Sequence, residues 1–223
     1  MTSPISVVIP SRNEAGNVGL AVRSARAAGA GVEVLVVDGG STDRTRDVAA
    51  AAGARVLVSA LGRGIQLDRG AREATGAWLV FLHADTWLEE GWNRSLLELP
   101  RAVVGGAFRF AVDSPRRRYR LLEAGVAMRC RLLRLPFGDQ GIFVRSDAYA
   151  ASGGFPPFPL MEDVAFVRRL GRLGPLAFPR SRAVTSARRW ERSGIVSTTL
   201  RNWGLLGLYA VGLPPRRLAR LYG

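Results

Sequence analysis

Several short apolar runs of this chain end in polar side chains able to bind a hydroxyl, a proton or a cation. Arg12, Asn13 and Glu14 follow the run Ile5–Ile9, Asp38 follows Val32–Val37, and His83 and Asp85 follow Trp78–Leu82. A further acidic pair, Glu162 and Asp163, opens a helical pattern that runs to Leu173. Carboxylates in such places accept hydrogen bonds, take up protons or ligate hard cations. They also cap helices, the role that suits Asp43 beside Ser41, the expected N-cap of the next helix. Thiol catalysis is not indicated, because the single cysteine, Cys130, would have only His83 as a base. One cysteine also excludes an intramolecular disulfide.

The runs that carry these groups predict alternating strands and helices. Ile5–Ile9, Val32–Val37, Arg55–Val58 and Trp78–Leu82 read as strands, with helices over Ala15–Ala28, Thr42–Ala52 and Ile65–Thr75. Strands apolar throughout and separated by helices imply a parallel sheet covered on both faces. Ligands of such sheets bind in the crevice at the carboxyl ends of the strands, where the polar groups above would sit. The second half is less regular. Gly105–Val112 reads as a strand, Arg116–Arg134 as an amphipathic helix, and Gly138–Gly141 as the opening of a strand over Ile142–Val144. Helices follow over Ile195–Tyr209 and Arg216–Tyr222, broken at Pro214 and Pro215. The expected organisation is one α/β domain, its core over residues 1–190 and a helical C-terminal extension over 191–223.

Composition narrows the class. Of 223 residues, 48% are hydrophobic and 22% charged, which is globular and not disordered. The net charge is +14, and every basic residue is Arg. A GC-rich coding sequence accounts for the absence of Lys, but the charge still attracts nucleotides, anionic head groups or nucleic acid. No helix-turn-helix, RNA-recognition or zinc-finger signature is present, so no specific nucleic-acid partner is expected. The N-terminus shows no basic and apolar leader pattern, and the apolar stretch Trp203–Leu213 is too short to span a bilayer. That stretch and the Arg-rich helix either rest on an anionic membrane or form a solvated basic face over packed core residues. The expectation is a cytoplasmic chain, with a peripheral place on the inner face of the membrane as the alternative to a solvated basic face.

A dinucleotide-binding oxidoreductase would need G-x-G-x-x-G directly after the first strand, where this chain has Pro10 to Gly16. A P-loop would need Lys. The motifs instead resemble glycosyltransferase family 2. Ile5–Glu14 (ISVVIPSRNE) resembles the family's opening strand and loop, and Val34–Asp43 (VLVVDGGSTD) its second strand and acidic turn. Ala77–Asp85 (AWLVFLHAD) is similar to the strand ending in the metal-binding D-x-D, and Met161–Asp163 to the E-D motif at a helix start. Gly62–Gln66 and Phe137–Gly141 look like those of a small bacterial subgroup.

The resemblance implies a Rossmann-like GT-A fold, a mixed and mostly parallel sheet flanked by helices. It implies an inverting transferase that moves a sugar from a nucleoside diphosphate sugar to a hydroxyl acceptor, a lipid being one candidate. Pro10, Glu14 and Asp38 would hold the nucleoside, and Asp85 a Mn²⁺ or Mg²⁺ ion on the diphosphate, with His83 in place of the first Asp of D-x-D. Asp163 would be the general base, with Glu162, Asp139 and Gln140 beside the acceptor. Arg63 precedes a helix in a Gly-flanked loop suited to phosphate. Ser186–Trp190 (SARRW) weakly resembles the Q-x-x-R-W motif of processive synthases, with Arg189 as a diphosphate clamp and Trp190 stacking on a sugar or acceptor ring. A nucleotidyltransferase and a non-catalytic relative that binds nucleotide or anionic lipid remain as alternatives.

Overall fold

Ile5–Ser11 forms β1, and nearly every residue in it is buried, so the strand is apolar at successive positions and needs cover on both faces. The cover comes from the segments that follow. The computed structural model describes residues 4–29 and 31–222. Within them, α1 (Val18–Arg26), β2 (Val32–Asp38), α2 (Thr45–Ala51), β3 (Arg55–Val58), α3 (Arg63–Glu73) and β4 (Trp78–Phe81) alternate along the chain. β1 pairs in parallel with β2 and with β4, and β2 with β3. The pleat sends Val7 and Ile9 into one apolar cluster with Val18 and Val22 of α1. Val8 points to the other face, where it packs with Leu67 of α3.

β5 (Thr86–Leu88) and α4 (Trp92–Leu97) come next, and the strand expected over Gly105–Val112 then proves to be two. β6 (Gly105–Ala107) stays in the main sheet, while β7 (Arg109–Asp113) leaves it. The break falls at buried Phe108, whose ring packs edge-on to Trp92 and whose N–H donates to the Gln140 carbonyl at 3.0 Å. α5 (Arg117–Leu133) agrees with its expected extent to a residue at each end. Gly138–Gln140 forms a 3₁₀ turn instead of opening a strand, and β8 (Ile142–Arg145) follows it. The remaining elements are α6 (Ser146–Ser152), α7 (Glu162–Leu173), β9 (Leu176–Ala177), β10 (Arg182–Ser186), α8 (Arg188–Ser193), α9 (Ile195–Ala210) and α10 (Pro215–Tyr222).

The main sheet has the order β3-β2-β1-β4-β8-β6-β9, with β8 antiparallel to both neighbours. A small sheet, β5-β10-β7, stands apart. The chain leaves β1 toward β2 and β3 and returns to its other side at β4. The carboxyl ends of β1 and β4 therefore flank a switch point, where open α/β sheets bind ligands. Leu205, Leu206 and Leu218 of the last two helices are buried in the cluster that holds Val164 and Val167 of α7. Among the described residues, no helix is long and apolar enough to cross a membrane.

Candidate active site

The loops after β1 and β2 are stapled together before any ligand arrives. Asn13 takes φ 53°, a left-handed conformation that Asn tolerates better than most residues. Its side-chain oxygen accepts from Thr42 N–H at 2.9 Å, while its own N–H donates to Ser41 Oγ at 2.9 Å. Glu14 N–H donates to Thr45 Oγ1 at 2.8 Å. Asp43 accepts from the N–H of Thr45 at 3.0 Å and of Ala15 at 3.2 Å, a structural role. Ser41 does not cap α2, which starts at Thr45. Its hydroxyl donates to the Asp38 carboxylate, and its N–H reaches the same group at 3.0 Å.

This network corrects the expectation for Asp38. The side chain is fully buried and accepts hydrogen bonds from Gly40 and Ser41, so it shapes its loop and does not line the crevice. A buried carboxylate must find donors, and its own loop supplies the nearest. Buried Gln66 of α3 completes the staple, donating from Nε2 to the carbonyls of Ser11 and Val37 at 2.9 and 2.8 Å. Sequence reasoning placed Gln66 in a motif without giving it a role.

Beside these loops lies a crevice of about 270 Å³, lined by Pro10, Glu14, Arg63, Asp85, Arg188 and Arg189 among others. Arg188, which sequence reasoning missed, is its centre. One guanidinium nitrogen donates to Glu14 at 2.6 Å and to Asp85 at 3.1 Å. β10 positions it: Ser186 N–H donates to the Asp85 carbonyl at 3.0 Å, which fixes the turn into α8 against the end of β4. Arg189 makes no ion pair or side-chain hydrogen bond among the described residues. Two adjacent arginines look alike in sequence, and only the fold separates the paired one from the unpaired one.

A second, smaller pocket of about 70 Å³ shares Arg63, His83 and Arg189 with the crevice and adds Asp139, Glu162 and Asp163. α7 starts from Met161 at φ 66°, a left-handed conformation strained for a residue with a side chain. Successive helical residues point about 100° apart, so Glu162 and Asp163 diverge. Asp163 accepts from Gly138 N–H at 2.8 Å. Glu162 is buried, lines this pocket with Asp163 and pairs with Arg63 at 3.2 Å. Burial raises its carboxyl pKa, and Arg63 opposes that rise. α3 and the segment before α7 meet at Gly64, where a Cβ would lie 2.2 Å from the Pro156 carbonyl oxygen.

His83 is neutral at pH 7, its pKa pulled down to about 3 by burial and by the nearby Arg63. Its Nε2 is buried without a hydrogen-bond partner and lies against Gly138, where a Cβ would stand only 2.8 Å away. Asp139 lines this pocket and accepts no hydrogen bond among the described residues. Burial raises its pKa, with Arg129 and Arg189 pulling the other way.

Gln140 departs from expectation. Gln140 is buried, and its Oε1 accepts from Arg129 at 2.8 Å and from Phe137 N–H at 3.1 Å, so it organises the turn and does not face the acceptor. Cys130 is buried beside it, its thiol pKa pushed up by burial. Trp190 is buried edge-on to Phe110, with centroids 5.7 Å apart, and faces an apolar groove away from the crevice.

Among the described residues, no three His, Cys, Asp or Glu side chains converge as a metal site. A hard cation on a diphosphate needs few protein ligands, because phosphate oxygens supply the rest. Glu14 and Asp85 fit that need, being close enough to share one guanidinium. His83 lines the same crevice, its Nε2 buried, unpartnered among the described residues and turned toward Gly138.

The architecture is that of a GT-A-type α/β domain with a polar crevice at the switch point of its sheet. The family model described as Glycosyl transferase family 2 matches residues 6–153, and the chain belongs to that family. A "PGL/p-HBAD biosynthesis glycosyltransferase" of Mycobacterium bovis is 37% identical over 99 residues, covering 40% of this chain and 39% of that protein. The chain thus matches well under half the length of this relative. Staphylococcus aureus TarS 1-349 in complex with UDP superposes with a TM-score of 0.65 at 16% identity, over 83% of this chain and 60% of that one. Glucosyl-3-phosphoglycerate synthase from Mycobacterium tuberculosis, in complex with Mg²⁺ and UDP, gives 0.59 at 23% identity, over 82% and 69%.

Proposed function

We propose that this chain transfers a sugar from a nucleoside diphosphate sugar to a hydroxyl acceptor, with inversion at the anomeric carbon. The observation that carries the reading is the join between two pockets. The crevice at the ends of β1 and β4 is rich in Arg and carboxylate, and through His83, Arg63 and Arg189 it meets the pocket that holds Asp163 and Asp139. Family membership and the UDP named for two neighbours of the same fold support a nucleotide donor.

The nucleoside would lie along Pro10 and Glu14, on the loop that Asp38 and Gln66 hold in shape. Arg189, with no partner of its own, would meet the diphosphate, and Arg63 would add positive charge from its place beside Glu162. Mn²⁺ or Mg²⁺, the ions named for such neighbours, would be held by Asp85 with Glu14 and would neutralise charge on the leaving diphosphate. In the reaction, the acceptor hydroxyl loses its proton to the Asp163 carboxylate, and its oxygen forms the new bond to the anomeric carbon. The bond from that carbon to the diphosphate oxygen breaks, and the electron pair leaves on the oxygen. Asp139 would orient the acceptor hydroxyl.

A thermal-shift screen of UDP, GDP, dTDP and CDP and their sugars, with and without Mn²⁺ or Mg²⁺, tests the donor reading. A ligand that binds only the folded state raises the melting temperature. A metal-dependent shift with one nucleotide identifies the donor base. No shift with any nucleotide in the presence of metal returns the weight to a non-catalytic relative.

A further inference from the structure

We infer that the groove between α5 and α9 holds the apolar body of the acceptor, an amphiphile whose hydroxyl head lies at Asp139. The inference rests on the transferase reading above and deepens it by naming the acceptor class. The groove is a cavity of about 390 Å³, within the range of small-molecule sites. Leu121, Leu122 and Val126 of α5 form one wall, and Ile195, Val196 and Leu200 of α9 face them. Three of these side chains stay largely in solvent, Leu121 at 78%, Val196 at 71% and Leu200 at 67% exposure. Single exposed apolar residues are ordinary, but a facing pair of apolar walls marks a binding surface.

Two features select the occupant. The first is continuity: Phe137, Asp139 and Asn202 line both the groove and the pocket that contains Asp163. A molecule lying in the groove therefore ends at the proposed base. The second is the distribution of polar groups. Arg129 is committed, donating to the Leu135 carbonyl and to Gln140 while its guanidinium lies 3.6 Å from the centre of the Phe137 ring. Asp139 has no partner among the described residues, so it leaves an acceptor site open at the inner end. One unpaired carboxylate at the end of an apolar channel suits an uncharged hydroxyl on a hydrocarbon body.

Gly125 provides a test that spares the fold. It lines the groove within α5, and a Cβ there meets nothing within 4 Å. Gly125→Phe therefore starts a ring into the groove from a position with room for its Cβ, and replaces a poor helix former. Gly204→Phe, in α9 but outside the groove and equally open, is the control. The probes are hexyl, octyl and decyl β-D-glucosides below micelle formation, titrated against the full chain and followed by Trp emission, since Trp190 and Trp203 line the groove. The expected result is a Kd that falls up to about fourfold per buried methylene. Gly125→Phe should raise the Kd at least about tenfold, with Gly204→Phe unchanged and the nucleotide thermal shift intact in both.

If nucleotides bind but the glucosides do not, or bind Gly125→Phe equally well, the groove assignment is overturned and the donor reading stands. If no nucleotide shifts the melting temperature, the donor reading fails while the glucoside series still reports on the groove. Phosphatidylglycerol vesicles that capture the wild type but not Gly125→Phe, without chain-length-dependent glucoside binding, would make the groove a membrane seat and overturn the proposal. A dimer in sedimentation that Gly125→Phe dissolves would assign the groove to a second copy and overturn it as well.

Discussion

The two sides of the site are built in opposite ways. On the β1–β4 side the loops are braced by paired polar groups, with Arg189 and His83 Nε2 left without partners among the described residues: Asp38 accepts from its own loop, Gln66 ties two strand ends together, and Arg188 spans Glu14 and Asp85. On the α5–α9 side, Asp139 lacks a partner among the described residues, and the walls are exposed hydrocarbon. Preorganised hydrogen bonds suit a ligand of fixed shape such as a nucleotide, because the loops need no reordering when it binds. An apolar groove with one polar end selects by length and hydrophobicity instead, and methylene differences are worth little individually. The contrast implies a strictly recognised donor and a more loosely recognised acceptor.

The largest effect expected is at the meeting point of the two sides. Asp163→Asn should lower kcat by about 10²- to 10⁴-fold while nucleotide binding, measured by thermal shift, stays within about twofold. Loss of nucleotide binding in that variant would move Asp163 to the donor side and remove the division. Next comes the rigidity of the donor side. Gln66→Ala would remove a buried donor from the Ser11 and Val37 carbonyls, Ser11 keeping the Gly39 N–H at 2.9 Å, at a cost of about 2 kcal/mol. Calorimetry should show a melting temperature lower by roughly 5–10 °C. An unchanged value would mean that the strand ends hold themselves.

Arg188→Ala should act more modestly and in two directions. Without the guanidinium, Glu14 and Asp85 repel each other and welcome a divalent cation, so calorimetric Mn²⁺ affinity should rise severalfold. Nucleotide affinity without metal should fall severalfold, because the crevice loses one positive charge. If Mn²⁺ affinity does not change, the two carboxylates are not a cation site. The smallest effect lies outside the site, at the exposed pair Arg182–Glu89, where Arg182 holds the Glu89 pKa below its usual value. A lowered carboxyl pKa adds stability above the unfolded value of about 4.3, and that stability is lost as pH falls through the folded pKa. Arg182→Ala should cost under about 1 kcal/mol at pH 7, and the difference in melting temperature should shrink as the pH falls below the unfolded value.

Much of the donor side was legible from sequence, because its strands are continuous apolar runs and the residues after them must stand at the sheet's edge. Pro10, Glu14, His83 and Asp85 line the crevice for that reason. The start of α7 was equally plain, since Glu162 and Asp163 open a strongly amphipathic helix. The acceptor side was not legible in the same way. The three strands of the small sheet are short and pair across long sequence separations, and the chain switches sheets at Phe108 with no Gly or Pro at the break.

What local order alone decided was the alternation of elements and the identity of the groups at the strand ends, because hydrophobic periodicity and β-propensity act over a few residues. Tertiary structure decided where each group points. Asp38, Gln140 and Glu162 are as polar in sequence as Asp163, yet each was drawn inward to pair with backbone amides of its own turn or with an arginine distant in sequence. A buried polar atom must be paired, and whether its partner comes from its own turn, as for Asp38, or from a distant segment, as for Glu162 and Arg63, is settled by the packing of the whole fold.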